Sequence, residues 1–320
     1  MVYLILIISL VGIVYGADLL VAGSSETARR FKVSDFVIGA AIVGIGTSMP
    51  ELTVSVLGAI KGNADIAIGN VVGSNIFNIL GILGLTAALF PIAVSKSNLK
   101  FEIPLCIGIS VILTVLAFNF FTESGQVIGR LDGLALLLLF IGFMWYSFKR
   151  DRKQSPAETE NNAEKDIPLW KSILKICIGL PLLIISCDFF VDEAVVIARN
   201  FGLNDAFISI TLIACGTSLP ELAASITAAF KKNTQLALGN VVGSNIFNAS
   251  LILGLSSQVT PLTSCGITLT DYLVMIGAAV MTMIFGLRGK IGRIEGIAMF
   301  LCFVIYNIYC LLYTSDTADD

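Results

Sequence analysis

The sequence predicts an all-α integral membrane protein: ten transmembrane helices arranged as two inverted five-helix repeats. Three observations lead there, namely the composition, the count of long apolar runs, and an internal match at a fixed offset. Of 320 residues, 56% are hydrophobic and only 13% charged, with a mean hydropathy of +0.90. Soluble domains carry roughly 25% charged residues, so this chain lacks the polar surface to cover a water-soluble globule. A net charge of −3 with 20 basic residues offers no basic domain to nucleic acid. The sequence has no histidine, which removes His–metal sites, Ser-His-Asp triads and histidine proton relays, and no enzymatic activity is expected. The seven cysteines, odd in number and mostly inside apolar runs, read as membrane-buried thiols and not as a disulfide framework.

A helical span needs ~20 mostly apolar residues. Such runs lie near 2–27, 34–60, 66–90, 99–121 and 128–148, and again near 169–198, 204–230, 236–258, 266–287 and 292–313. The first is read as a membrane helix and not a signal peptide, because no basic residue precedes it and the run is too long. Residues 1–148 form the first repeat and 169–313 the second. Between them lies a polar linker, 149–168, rich in Lys, Arg, Glu, Asn and Gln, and a polar tail occupies 314–320. With ten spans, 17 of the 20 basic residues fall on one face and only Lys61, Arg130 and Arg199 on the other. Basic residues collect on the cytoplasmic side. The linker is therefore expected in the cytoplasm and both termini outside it, in the plasma or inner membrane of a prokaryote.

Sliding the chain against itself by 170 residues aligns Gly46–Pro91 with Gly216–Pro261 without a gap, with 26 identities in 46 positions. The matching regions extend over 39–91 and 209–261. Gly69–Asn78 (GNVVGSNIFN) recurs unchanged as Gly239–Asn248, and Asp18, Arg29 and Asp35 recur as Asp188, Arg199 and Asp205. Five spans per copy is an odd number, so the second copy sits upside down. Inverted repeats of this kind build secondary transporters, with the substrate site at the midplane between the copies. A duplicated scaffold would not need identical polar residues in the middle of apolar helices.

Those polar residues form two motifs. Gly46-Thr47-Ser48-Met49-Pro50-Glu51 recurs as Gly216-Thr217-Ser218-Leu219-Pro220-Glu221, about mid-span in spans 2 and 7. Proline removes a backbone donor and clashes with the preceding turn, so each helix should break here and free carbonyls near Gly44 and Ala214. Open backbone at membrane depth must be buried or line a polar cavity. Thr47 and Glu51 are four residues apart and share a face, as do Thr217 and Glu221. In spans 3 and 8, Ser74 with Asn78 and Ser244 with Asn248 have the same spacing. Asn70, Asn75, Asn240 and Asn245 could cap or bond across helices as easily as bind ions.

An intramembrane carboxylate costs at least ~2.5 kcal/mol on insertion scales and marks a functional site by default. Glu51 and Glu221 would bring −2 to one cavity surrounded by hydroxyls, amide oxygens and carbonyls. A purely structural role would pair each with Lys or Arg, yet no basic residue lies within the cores of these spans. Oxygen-only ligands suit hard cations such as Ca²⁺, Mg²⁺ or Na⁺, and Ca²⁺ takes six to eight oxygens in irregular geometry. Asp18 and Asp188 are explained by helix pairing or an interfacial position, Asp35 and Asp205 by N-capping, and the unrepeated Glu102 and Asp271 by an interfacial position.

These paired motifs resemble the two α-repeats of the sodium/calcium exchangers, within the cation/calcium antiporter superfamily, and the resemblance covers nearly the whole chain. It implies a central site that binds Na⁺ and Ca²⁺ in alternation. The implied ligands are Thr47, Ser48, Glu51, Ser74 and Asn78 with Thr217, Ser218, Glu221, Ser244 and Asn248, and the carbonyls of Gly44 and Ala214. It also implies sliding of spans 1 and 6 across the other eight. Potassium-dependent relatives carry Asp where this chain has Asn248, which argues against potassium dependence. The function expected is Na⁺/Ca²⁺ antiport by alternating access, with Ca²⁺ between Glu51 and Glu221, the two ions as substrates, and no cofactor or protein partner. The alternatives are a Ca²⁺/H⁺ antiporter of the same superfamily and, further off, a passive cation channel.

Overall fold

The computed structural model describes residues 2–118, 127–154, 168–200, 214–263 and 266–316. Its helices are α1 (Val2–Phe31), α2 (Asp35–Thr47), α3 (Met49–Ile60), α4 (Ala64–Leu89), α5 (Asn98–Phe118), α6 (Arg130–Gln154), α7 (Leu169–Asn200), α8 (Leu219–Phe230), α9 (Thr234–Val259), α10 (Leu269–Gly286) and α11 (Arg293–Asp316). A single helical turn, Ala214–Gly216, precedes α8. Eight helices among the described residues are long and apolar enough to cross a membrane, and α2 with α3 makes a ninth, bent by 50°. The expected span at 204–230 begins within residues outside the description, as do the Asp205 cap, most of the linker and the end of the tail.

The arrangement is that of a multi-pass membrane protein: the outer surface is apolar, and the largely apolar core also encloses a cluster of polar motif residues. The helices that carry the Gly/Ser/Asn motifs, α4 and α9, are central, with 72% and 94% of their spans buried, whereas α1 and α7, the longest apolar helices, are 28% and 22% buried. Large apolar side chains such as Ile8, Val14, Trp145, Ile185 and Ile305 point outward. A lipid solvent makes so apolar an outer surface favourable.

Around the central pair, α2 packs on α9, α3 on α4, α8 on α9, α6 on α9, α10 on α5 and α11 on α4. The two outer helices α1 and α7 make the most extensive helix pair among the described residues. They approach closely because a Cβ on Gly16 would lie 2.6 Å from the Leu183 nitrogen, and one on Gly179 2.7 Å from the Leu20 nitrogen. Glu26 of α1 ties the pair further, accepting from Ser172 Oγ at 2.9 Å and pairing with Lys175. Two short antiparallel ladders close the ends of the bundle: β1 (Ile92–Ala93) with β4 (Lys290–Ile291), and β2 (Val127–Ile128) with β3 (Leu262–Thr263). Each joins a segment of the first half to one of the second.

Two expectations are corrected locally. Ser34, and not Asp35, caps α2, its side chain accepting from Val37 N–H; the shorter serine reaches back to the first turn while Asp35 sits inside it. Glu102 is buried and paired with Arg150 at 3.7 Å, because the end of α6 folds over the start of α5 and Arg150 stacks on Phe101. Helical regularity is also interrupted by π-helical turns at Gly39–Gly44, Phe77–Leu83, Asn98–Glu102 and Asn248–Ile252. By contrast Asp271 closes a capping box with Thr268 and accepts from Tyr306 at 2.7 Å.

Candidate functional site

Both glutamates sit on the first turn of a short helix that follows the Gly-Thr-Ser motif. Pro50 and Pro220 occupy the second positions of α3 and α8, within the first turn, where a missing N–H costs nothing and the fixed φ is already helical. Ser48, with φ −83° and ψ 12°, ends the helix before it and starts the one after, and Ser218 has nearly the same conformation, φ −93° and ψ 8°. The sharp bend thus turns Ser48 and Glu51, and Ser218 and Glu221, toward the molecular centre. All four are fully buried.

The serines cross between the halves. Ser48 Oγ donates to Glu221 Oε1 at 2.7 Å, and Ser218 Oγ donates to Glu51 Oε1 at 2.7 Å. The second carboxylate oxygen of each glutamate is buried without a hydrogen-bond partner among the described residues, as are both amide atoms of Asn78 and of Asn248, Ser74 Oγ and Thr217 Oγ1. Asn78 and Asn248 each fall in one of the π-helical turns. The turn with Asn78 packs against α8, and the turn with Asn248 against α3, so each amide lies beside the helix that carries the other half's glutamate. No lysine or arginine among the described residues pairs with either carboxylate.

A second layer holds this centre in place, and again it repeats. Asn70 Nδ2 donates to the Glu51 carbonyl at 3.1 Å and to Ser55 Oγ at 2.9 Å; Asn240 Nδ2 donates to the Glu221 carbonyl at 3.1 Å and to Ser225 Oγ at 2.9 Å. Asn75 and Asn245 each donate to the other's backbone carbonyl, at 3.2 and 3.0 Å, across the α4–α9 contact. The four asparagines are therefore cross-braces. Asn70 and Asn240 position the glutamate backbone, a role their identity at the 170-residue offset could have pointed to.

In the first half the motif is tightly engaged. Thr47 Oγ1 donates to the Val43 carbonyl at 3.0 Å and reaches Asn240 Oδ1 at 3.3 Å. The Gly44 carbonyl is not open as expected: Ser48 N–H reaches it at 3.1 Å and Ser244 Oγ at 3.2 Å. A π-helical turn ends at Gly44, and it shifts the backbone so that the carbonyl regains a helical donor. Ala214 begins the helical turn ahead of Ser218.

The chemistry of this donor set fits a bare cation. A buried polar atom left unpaired costs roughly 1–3 kcal/mol, and an ionised one more, while native structures keep such atoms few. Among the unpaired buried oxygens, Glu51 Oε2, Glu221 Oε2, Asn78 Oδ1, Asn248 Oδ1, Ser74 Oγ and Thr217 Oγ1 come from the motif residues nearest the two glutamates in sequence or packing, and Asn75 Oδ1 and Asn245 Oδ1 are unpaired in the same motifs. All are hard oxygen donors of the kind that Ca²⁺ or Na⁺ takes.

The family model for the sodium/calcium exchanger protein matches residues 1–149 and 171–312. The chain belongs to the sodium/calcium exchanger family. It is 32% identical over 340 aligned positions to the sodium/calcium exchanger MaX1 of Methanosarcina acetivorans, covering 96% of this chain and 97% of that one. The protein CaxA of Alkalimonas amylolytica is 39% identical over 319 residues, covering 97% of this chain and 98% of its own. A solved structure of the sodium-calcium exchanger NCX_Mj, soaked with Na⁺ and without Ca²⁺, superposes with a TM-score of 0.82 at 34% identity, over 95% of this chain and 98% of that one. This family consists of membrane transporters and not enzymes, and its exchange of a cation against Ca²⁺ is the activity class to which the chain belongs.

Proposed function

We propose that the chain is a Na⁺/Ca²⁺ antiporter that works by alternating access, with Ca²⁺ held between Glu51 and Glu221. The observation that carries this reading is the reciprocal pair of serine–glutamate bonds together with the unpaired oxygens beside them. Each carboxylate is already oriented by a hydroxyl from the opposite half, so its free oxygen is the natural point of attachment for a cation. Two carboxylates balance one Ca²⁺ or two Na⁺. The hydroxyls of Thr47, Thr217, Ser48, Ser218, Ser74 and Ser244, the amides of Asn78 and Asn248, and the carbonyl of Ala214 complete the proposed ligand set; the Gly44 carbonyl, engaged here by Ser48 N–H and Ser244 Oγ, joins it only when Ser244 turns to the cation. With either ion bound, the cavity is neutral and apolar helices can close over it. Empty, it keeps two buried negative charges, which oppose closure; that difference enforces exchange over leak.

The same reading assigns ten spans, five in each of two inverted repeats (1–148 and 169–313), with spans 2 and 7 broken at the Gly-Thr-Ser motifs. The linker 149–168 faces the cytoplasm and both termini the opposite side of a prokaryotic cell membrane. Pairwise symmetry of the hydrogen bonds supports this assignment, as does the 50° bend between α2 and α3.

The test is ⁴⁵Ca²⁺ uptake into proteoliposomes loaded with Na⁺, against liposomes loaded with K⁺ or choline at matched pH. Uptake that requires internal Na⁺ is the expected result, and Glu51→Gln and Glu221→Gln should each abolish it in protein that still folds. Uptake that follows a pH gradient without Na⁺ would assign the chain to proton coupling, and leak without any counter-ion would make it a channel.

A further inference from the structure

The offset that relates the two glutamates also relates two pairs of charged residues that the ion site does not use: Asp18 with Asp188, and Lys61 with Lys231. Lys231 ends α8 and Lys61 ends α3, each as the C-terminal cap. The turns that follow have one geometry. Gly62 and Lys232 both take a positive φ, 72° and 62°, and Asn63 and Asn233 both cap the next helix through their side chains, accepting from Ile66 and Leu236 N–H. The two lysines are thus presented by equivalent backbones. What they meet is different. Lys231 Nζ contacts Asp18 Oδ1 at 2.5 Å and the Asp18 carbonyl at 3.1 Å, and Asn233 Nδ2 donates to Ser25 Oγ of the same helix at 3.0 Å. Helix α1 packs along α8 on that side. In the other half, Lys61 and Asp188 are both exposed and make no ion pair with each other, and among the described residues α7 has no comparable packing against α3.

We propose that Asp18–Lys231 and Asp188–Lys61 are alternating latches, one closed while the other is open, that hold the α1/α7 pair against opposite faces of the bundle. This rests on the alternating-access reading above. Because α1 and α7 are joined by close glycine contacts and by Glu26 with Lys175 and Ser172, they move as one body. Docking α1 onto the α8–α9 turn therefore lifts α7 from the α3–α4 turn. In the structure the Asp18–Lys231 latch is closed and the Asp188–Lys61 latch is open. The latches are unequal by sequence: Ser25, which gives the first its second contact, corresponds to Val195 at the offset of 170, so the state seen here is the favoured one in the absence of a gradient.

The experiment has two arms. In a variant with all seven cysteines replaced that retains Na⁺-driven uptake, Asp18→Cys/Lys231→Cys and Asp188→Cys/Lys61→Cys are treated with a short, reducible bis-methanethiosulfonate, since a direct disulfide needs Cα atoms within about 7 Å. The first pair should cross-link at rest and the second only during turnover. Either link should stop uptake, and reduction should restore it. In the native-cysteine background, Asp18→Asn removes the latch at the Lys231 face, so it should lower the half-saturating Ca²⁺ at that face and raise it at the other; Asp188→Asn should do the reverse. An exposed ion pair sets the size at about two- to five-fold. Shifts of the same sign, no shift, a first pair linked with full uptake, or a second pair that never links during normal turnover would each overturn the latch while leaving antiport in place. Loss of Na⁺-driven uptake in the unmodified protein would overturn the antiport reading itself.

Discussion

Replacing Ser218 by alanine removes one oxygen and leaves the backbone of the bend untouched, so its effect reports the serine–glutamate bond. That bond is short, 2.7 Å, fully buried, and ends on a carboxylate. A hydrogen bond to a charged group is worth about 1.5–3 kcal/mol, which at 1.36 kcal/mol per decade is about a 10- to 150-fold loss of Ca²⁺ affinity. The direction follows from the geometry. Without the hydroxyl, Glu51 has neither oxygen hydrogen-bonded among the described residues, and in the proposed site the cation loses a carboxylate that was held in place. Ser48→Ala should cost the same within a few-fold, because Ser48 faces Glu221 at the same distance. Ser55→Ala is the control: its hydroxyl bonds Asn70 and the Ala67 carbonyl and reaches neither carboxylate, so the affinity should fall less. The assay is the Ca²⁺ dependence of Na⁺-driven uptake, paired with thermal unfolding in detergent to show that each variant folds. If Ser48→Ala and Ser218→Ala stay within about twofold of the parent, or if Ser55→Ala weakens Ca²⁺ as much as they do, the crossed bonds do not organise the site.

Other expectations follow from the braces around the centre. Asn245→Ala removes the 3.0 Å bond onto the Asn75 carbonyl and should lower stability by about 1–3 kcal/mol, read as a drop in Tm in detergent; a Tm unchanged within a degree would deny the brace. Gly16→Ala places a Cβ 2.6 Å from the Leu183 nitrogen, forcing α1 and α7 apart at about 1–3 kcal/mol of overpacking, with uptake falling along with the Tm. Glu26→Gln keeps an acceptor for Ser172 but loses the charge that faces the partly exposed Lys175. It should therefore cost no more than about 1 kcal/mol, and the difference from the parent should shrink as salt is raised.

How much of this was legible in the sequence depends on which force sets each feature. Lipid demands long apolar runs, so the helices are legible directly, and Glu51 and Glu221 stand out because a carboxylate in such a run has no cheap explanation. Duplication adds a second reading: an offset of 170 singles out Ser48, Ser218, Asn78 and Asn248 as equivalents, though it does not say which residue touches which. The answer, that each serine serves the other half's glutamate, is a contact across 167–173 residues and exists only once both bends are folded against α4 and α9. The π-helical turns escape for a different reason. They are choices of backbone hydrogen bonding that leave the apolar pattern unchanged, yet the one ending at Gly44 decides that its carbonyl is engaged, and two others carry Asn78 and Asn248. π-Turns inside α-helices recur at functional sites, and here they sit where an i, i+4 reading of Ser74 with Asn78 needs amending. The same limit applies to the charges. Asp18, Asp188, Lys61 and Lys231 are visible as repeats, but only the three-dimensional asymmetry among the described residues, α1 docked on α8 while α7 stands off α3, carries the proposal that they mark two positions of one moving part.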